Sequence, residues 1–468
     1  MFREIPTYEN GQWDVTTFYT REEFRDFLLS IFKEPGKYNF NETSKIFNEE
    51  GRKFQKQGFY CAAPIKTKDF IAYWDDQKRK CRNGVIIKDG DEKWFISRDY
   101  YMWLNFLPIY DKEEKRFDFA KVRDAQYHMA LYEHLAELHW KHAIILKKRQ
   151  IASSYFHMAK LLNQYWFEEG AVLKIGASLK DYINEKGSWK FLNEYKNFLN
   201  EHTAWYRPAE PDKVGAWQQQ IKVRIGGRDT YKGLKSTINL YSFEKDPTHG
   251  VGGPVTYFFH EEAGIAPKMD DTYGFMKPAL KSGHMITGQF IAAGSVGDLD
   301  QCEPMKEYIL HPEENGFYGV ESSLIDKDGT IGITGLFIPE QWSMPPYIDQ
   351  WGNSKVEEAL EALEKEFEKM KKDLDPAAYQ LTVSQQPRCI EEAFATRKVS
   401  VFPPHLVARQ MQRIQYKEYS VEYLDLSRNA EGKIVDKPSR KIPIMEFPIS
   451  KKTEDKEGVL CIYERPHK

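Results

Sequence analysis

The hydrophobic positions of this 468-residue chain fall into short solid runs separated by periodic, amphipathic stretches. From Ala120 to Lys141, apolar residues recur at Val122, Ala125, Met129, Leu131 or Tyr132, Leu135 and Leu138, the three-and-four spacing of a helix. The solid run Ala143–Leu146 follows and reads as a buried strand, then a basic loop, then a helix from Ser154 to Phe167. Further strand runs are Val172–Ile175, Gln220–Ile225, Ile238–Ser242, Val255–Phe259 and Gln289–Ala293. Solid apolar runs alternating with helices predict an α/β fold with a mostly parallel sheet covered on both faces by helices.

Asn353–Leu374 carries the clearest helical pattern, with Val356, Leu360, Leu363, Phe367, Met370 and Leu374 on one stripe and Pro376 just beyond. Ser354 and Glu357 have capping-box spacing at its start. Its dense Glu/Lys face reads as a solvated surface. Residues 1–120 are rich in aromatics and charges, with a periodic stretch at Arg21–Phe32 and a strand near Trp94–Ile96, and predict a helical and irregular N-terminal lobe. A core is expected over 121–400. After Pro403 the chain turns polar and β-like, broken by Pro438, Pro443 and Pro448, and 401–468 reads as a small linker lobe.

Composition narrows the class. Hydrophobic residues make up 41% and aromatics 14%, enough for a large core, while the length favours two or three lobes. A formal net charge of −3 gives no global attraction for nucleic acid, so any polyanion must be met by local patches. The cysteines Cys61, Cys81, Cys302, Cys389 and Cys461 are scattered and odd in number, as in a reducing compartment without structural zinc. Neither a signal peptide nor an apolar run of membrane-spanning length is present, and a soluble intracellular protein with no membrane partner is expected.

Two segments carry chemistry. In the first, the strand Ala143–Leu146 runs into Lys147–Lys148–Arg149–Gln150–Ile151–Ala152–Ser153–Ser154. Laid on the phosphate-loop formula G-x-x-x-x-G-K-[ST], Lys147 takes the first glycine position, Ala152 the second, Ser153 the lysine and Ser154 the hydroxyl. Backbone N–H groups at a helix start bind anions whatever the side chains, Ser154 suits magnesium, and Lys147 and Arg149 can supply the missing cation. Taken alone, the segment also reads as a surface loop whose basic residues face solvent. In the second, a strand ends in the adjacent acids Glu261 and Glu262, followed by Ala263 and Gly264. Carboxylates at a strand's carboxyl end suit a metal shell (Glu261) and activation of a water (Glu262). Gln126 can read an adenine edge through its amide, and Ser295, in the strand exit Gly294–Asp298, can sense a phosphate.

The order of these segments resembles the ATPase region of tailed-bacteriophage large terminases, the DNA-packaging motors. The resemblance rests on the aromatic Tyr101–Phe106 segment, Arg123–Gln126, the deviant loop Lys147–Ser154, Glu261–Gly264, Gly294–Gly297 and the P-x-x-x-E-E-A-F stretch Pro387–Phe394. It implies a P-loop ATPase of the additional-strand, catalytic-glutamate (ASCE) type using ATP and Mg²⁺. Lys147 and Arg149 would lie on the phosphates within the nucleotide loop Lys147, Lys148, Arg149, Gln150, Ile151, Ala152, Ser153 and Ser154, with Arg149 counted with Glu262 in catalysis. Ser154 and Glu261 would hold magnesium, Glu262 would act as base, Gln126 would meet adenine, and Ser295 would couple hydrolysis to movement. It further implies double-stranded DNA, a procapsid portal protein and a small terminase subunit as partners, a homo-oligomeric ring, and action in the host cytoplasm docked on the portal.

Three departures stand out. Ala152 replaces the family's glycine. Thr248–His249–Gly250–Val251–Gly252 stands where an R-G pair is usual, leaving a trans-acting arginine unassigned, with Arg224 or Arg228 as candidates. The chain stops at Leu460–Pro466, where a nuclease domain would begin, so a motor domain without nuclease activity is expected. Competing readings are another DNA translocase or helicase with the same core, and a non-catalytic scaffold or DNA-binding protein with a decayed site.

Overall fold

The computed structural model describes residues 3–112, 114–205, 215–249, 252–297, 302–395, 409–410, 413, 421–441 and 459–462. Gly250, Val251, Asp298, Pro403, Pro443, Pro448 and Tyr463–Pro466, named above, lie outside the described residues. The chain divides into two compact units, Met1–Val399 and Ser400–Lys468.

The first unit is built on a seven-stranded sheet in the order Leu336–Ile338, Ala143–Lys147, Gln289–Gly294, Tyr257–Glu261, Val172–Ala177, Thr237–Ser242, Ala216–Gln218. Each neighbouring pair is parallel except the last, where Ala216–Gln218 runs antiparallel along Thr237–Ser242. Every residue of Ala143–Lys147, Tyr257–Glu261 and Gln289–Gly294 is buried, which is why these strands read as solid apolar runs without alternation. The helices Asp124–Leu138 and Ser153–Phe167 are buried nearly all round, polar residues such as Glu133, His157 and Lys160 included.

One strand run lies elsewhere. Ile221–Ile225 pairs with Arg228–Lys232 in a separate two-stranded hairpin and takes no place in the large sheet. Its Lys-Val-Arg-Ile alternation specifies an extended strand but no buried face, so pattern alone could not assign its partner. The short sheet strands Ala216–Gln218 and Leu336–Ile338 gave too few residues to show a period.

The N-terminal region also departs from the helical and irregular expectation. It contains a four-stranded sheet in the order Gln12–Tyr19, Arg3–Glu9, Val85–Asp89, Glu92–Ile96, which includes the expected Trp94–Ile96 strand. The edge strand Gln12–Tyr19 mixes threonines with aromatics, so no apolar run announces it. Aromatic packing ties this region to the core: Tyr38, Phe40 and Phe47 surround Tyr127 on the Asp124–Leu138 helix, with ring centroids 4.8, 5.3 and 6.4 Å away. In the second unit, Glu422–Arg428 pairs antiparallel with Ile434–Pro438 and with Leu460–Ile462.

The long helix spans Val356–Asp373 and buries Ala359, Leu363 and Phe367. The capping box does not form. Ser354 lies one residue before the helix cap, Lys355; its Oγ donates to Asp124 Oδ1 at 2.6 Å and accepts from the Ser343 N–H at 2.7 Å, which leaves the helix's free N–H groups uncapped by it. Asp124 also accepts from the N–H groups of Ser354 (2.7 Å) and Gly36 (2.6 Å) and from Ser343 Oγ (3.0 Å). One carboxylate thus fixes the start of the Gln126 helix to two distant segments. Replacing Asp124 with Ala strands four donors and should lower unfolding free energy by about 3 kcal/mol in urea titrations, while Asp124→Asn should lose less.

Candidate functional site

Three parallel strands end side by side: Lys147 closes the loop strand, Gly294 the middle one and Glu261 the third. The loop that follows Lys147 turns sharply into the Ser153–Phe167 helix. Gln150 and Ala152 both adopt left-handed backbone, with φ of 63° and 56°, and Ala152 is the cap from which the helix starts. Glycine takes such a conformation without strain, whereas an L side chain costs about 1 kcal/mol or more. Ala152 therefore keeps the backbone geometry that a glycine would give there, with strain retained in the loop.

The loop closes on the acids. Ser154 Oγ donates to Glu261 Oε1 at 2.9 Å, and Ser188 Oγ, at the start of the Ser188–His202 helix, donates to Glu261 Oε2 at 2.6 Å. Glu261 is buried, and burial, followed by the adjacent Glu262, pushes its carboxyl above the ordinary value; the two hydroxyls and Lys147 oppose that shift. Glu262 stands next to it in left-handed backbone (φ 48°) and turns the other way. Its Oε1 lies 3.4 Å from Lys147 Nζ, and its Oε2 lies 3.5 Å from both the N–H and the hydroxyl of Ser295.

Backbone contact locks the acid strand to the middle strand's exit. A Cβ at Gly264 would come within 2.2 Å of the Ser295 carbonyl, and one at Gly294 within 2.3 Å of the Gly264 N. Only glycine permits this approach, so Ser295 and Glu262 are held as one unit.

The remaining loop residues diverge. Lys148 is buried and points away from the acids, donating to the Glu340 and Ser343 carbonyls at 3.0 and 3.3 Å; burial lowers its pKa to about 8. Arg149 is exposed and its Nε donates to Gln385 Oε1 at 2.6 Å, while Gln385 Nε2 donates to the Val296 carbonyl at 3.0 Å. Gln126 reaches the loop, its Nε2 donating to the Ile151 carbonyl at 3.1 Å, and its Oε1 is buried without a protein partner. Arg224 and Arg228 lie on the separate hairpin, beside the opposite edge of the sheet and at the amino ends of its parallel strands. Within one chain they do not join this group. Arg388 and Glu392 of the Pro387–Phe394 stretch pair with each other at 2.5 Å, and Lys327 joins Glu392 at 2.8 Å, a structural clasp.

Sequence reading missed Ser188 and Gln385, which arrive from distant segments, and a buried charge network beneath the loop. Lys160 Nζ donates to Glu133 Oε2 at 2.8 Å and to Gln289 Oε1 at 3.3 Å. His157 Nε2 lies 2.8 Å from Glu133 Oε1, and its Nδ1 faces the carbonyl (2.8 Å) and hydroxyl (3.1 Å) of Ser153. Burial pushes Glu133 up, but Lys160 and His157 outweigh it and hold its carboxyl below the ordinary value. The ring of His157 stacks on Phe259 of the acid strand at 4.0 Å. The available signal was His157 and Lys160, one turn apart in an apolar helix, where buried polar groups require partners.

No family model matches the sequence, and no curated protein matches it. Among solved structures, a single-residue variant of the large terminase ATPase domain of Thermus phage P74-26 is similar, with 10% identity over 53% of this chain and 88% of that one, at a TM-score of 0.35. The large terminase of bacteriophage HK97 is similar with 10% identity over 69% of this chain and 63% of that one, at a TM-score of 0.34.

Two substitutions test this geometry. Ala152→Gly should raise unfolding free energy by about 1 kcal/mol by removing left-handed strain. Glu261→Gln should stabilise the nucleotide-free protein by about 1 kcal/mol at neutral pH, since it removes a buried charge. Because Glu261 titrates above its ordinary 4.5 when folded, its penalty is complete only above that raised value. The Gln variant's advantage should therefore shrink as pH falls and vanish below 4.5, as followed by thermal unfolding at several pH values.

Proposed function

We propose that this chain is an ATP-hydrolysing motor domain of the tailed-phage large-terminase kind, driving double-stranded DNA into a procapsid. The observation that carries the reading is the closure of the loop hydroxyl Ser154 on the strand-end acid Glu261 at 2.9 Å, with the next acid, Glu262, facing the loop lysine. A basic loop at a helix start, a hydroxyl, and two acids with separate environments are the parts that nucleotide hydrolysis needs. The strand Gln289–Gly294, inserted between the loop strand and the acid strand, supports the additional-strand (ASCE) class.

Ser154 and Glu261 offer hard oxygen donors that fit magnesium, and their mutual contact supports a shared ion. Such an ion would neutralise charge on the phosphates of ATP. Lys147, aimed among the acids, and the loop N–H groups bind and orient the phosphates, with Arg149 at the exposed side. Gln126 holds the adenine edge through its unpartnered Oε1. Glu262 accepts a proton from the attacking water, and Ser295, bound to the same carboxylate, reports its state to the middle strand. Lys148 works differently from the others: it ties the loop to the Glu340–Ser343 segment and supports the site without reaching it. The full machine would add a ring of copies, the portal and a small terminase subunit, in the host cytoplasm. No helix of the described residues is long and apolar enough to cross a membrane.

Glu262→Gln should lower ATP turnover by about 10²-fold or more while leaving ATP binding intact, as read by phosphate release and by titration with a fluorescent nucleotide. Turnover at the wild-type rate would refute the assignment. Lys147→Ala should impair nucleotide binding and turnover, whereas Lys148→Ala should chiefly lower the melting temperature; equal, mild effects of both would count against the separate roles.

A further inference from the structure

The hairpin Ile221–Ile225/Arg228–Lys232 has no part in the site, and its build is unusual. Its base is fixed: Gln219 N–H donates to the Ser236 carbonyl at 2.8 Å, Lys235 N–H donates to the Gln219 carbonyl at 2.9 Å, and a Cβ at Gly233 would come within 2.5 Å of that same carbonyl. Beyond the base the ribbon stands in solvent. Every residue from Arg224 to Lys232 is exposed, Ile225 and Tyr231 by 50% and 54%, and nothing approaches within 4 Å of a Cβ placed at Gly226 or Gly227. These two glycines, at φ 58° and 80°, make the tight turn that matches strand twist. A two-stranded ribbon without a packed face gains little stability from itself, so core formation does not account for it.

Its charge is one-sided. Lys222, Arg224, Arg228 and Lys232 stand against the single carboxylate Asp229, a net of +3 on a chain whose formal net charge is −3. Cross-strand pairing puts Arg228 opposite Ile225 on one face, and Tyr231 opposite Lys222 on the other. Asp229 lies 2.7 Å from Lys222 Nζ, leaving Arg224, Arg228 and Lys232 outside that pair. A basic, glycine-tipped two-stranded ribbon has the width that the major groove of duplex DNA accepts, and its cations suit the flanking phosphates. We propose that this hairpin is a contact surface for the phosphate backbone of double-stranded DNA, at the end of the sheet opposite the nucleotide site. The choice of duplex DNA as polyanion rests on the proposed function; the surface itself rests on the hairpin.

The test is binding of a labelled short DNA duplex to the full chain without nucleotide, by fluorescence anisotropy over a series of salt concentrations. Arg224→Ala, Arg228→Ala and Lys232→Ala combined should weaken binding by about 10-fold or more and reduce the slope of log affinity against log salt by about 2 to 3. Lys369→Ala, Lys371→Ala and Lys372→Ala combined, on the exposed face of the Val356–Asp373 helix, should change neither. Circular dichroism checks that both variants are folded. Unchanged affinity and slope in the hairpin variant, equal losses in both variants, or no duplex binding by the wild-type chain would each overturn the proposal. So would intact DNA binding with ATP hydrolysis lost only at concentrations where chains associate, because that result makes these arginines trans-acting groups for a second copy. Hydrolysis is measured separately, so DNA binding without ATPase activity would defeat the motor reading and leave the hairpin proposal standing.

Discussion

A buried carboxylate sets the terms for the whole site. Glu261 sits at the end of a fully buried strand, where an isolated charge would be costly, and Ser154 and Ser188 share its two oxygens. To bring Ser154 there, the loop must pass through two left-handed residues, Gln150 and Ala152. Bringing Ser188 there requires the start of the Ser188–His202 helix to lie over the sheet's carboxyl edge. Both loop and helix are thus aimed at one oxygen pair.

Strain and close packing surround that pair. Gln150, Ala152 and Glu262 all hold positive φ, and each costs energy that an ordinary loop would avoid. The glycine contacts of Gly264 and Gly294 leave no room for relaxation on the acid side. Beneath the loop, the His157–Glu133–Lys160 network fixes Ser153 from the core. The outcome is a loop gripped from below by buried charges and from above by a carboxylate, with Lys147 and Glu262 facing each other at its mouth. In this arrangement the alanine at position 152 is a strained substitute for glycine that keeps the left-handed turn of the loop.

Much of this was legible in the sequence because its parts are local. The runs around Ile144, Phe258 and Ile291 are solid because both sheet faces are covered, and the helix after the loop follows its period to Phe167. Lys147 was legible as the basic residue that closes the loop strand, and it faces Glu262 at 3.4 Å. What stayed hidden depends on partners far along the chain. Ser354 has the spacing of a cap, yet Asp124, which spacing cannot bring near, takes its hydroxyl. Ser188 looks like any helix start, and Gln385 like any exposed amide, until folding brings them to Glu261 and Arg149. The strand Ile221–Ile225 was legible as a strand but not as half of a separate hairpin, since alternating charge and branched residues fit either setting.

On the proposed function, Ser154 and Glu261 act as one unit in holding nucleotide with its metal. A double-mutant cycle of Ser154→Ala and Glu261→Gln, read as the dissociation constant for ATP in the presence of Mg²⁺, tests this most directly. The double variant should bind about as weakly as the worse single variant, a coupling of about 1 kcal/mol or more. Fully additive losses, or losses independent of Mg²⁺, would contradict it.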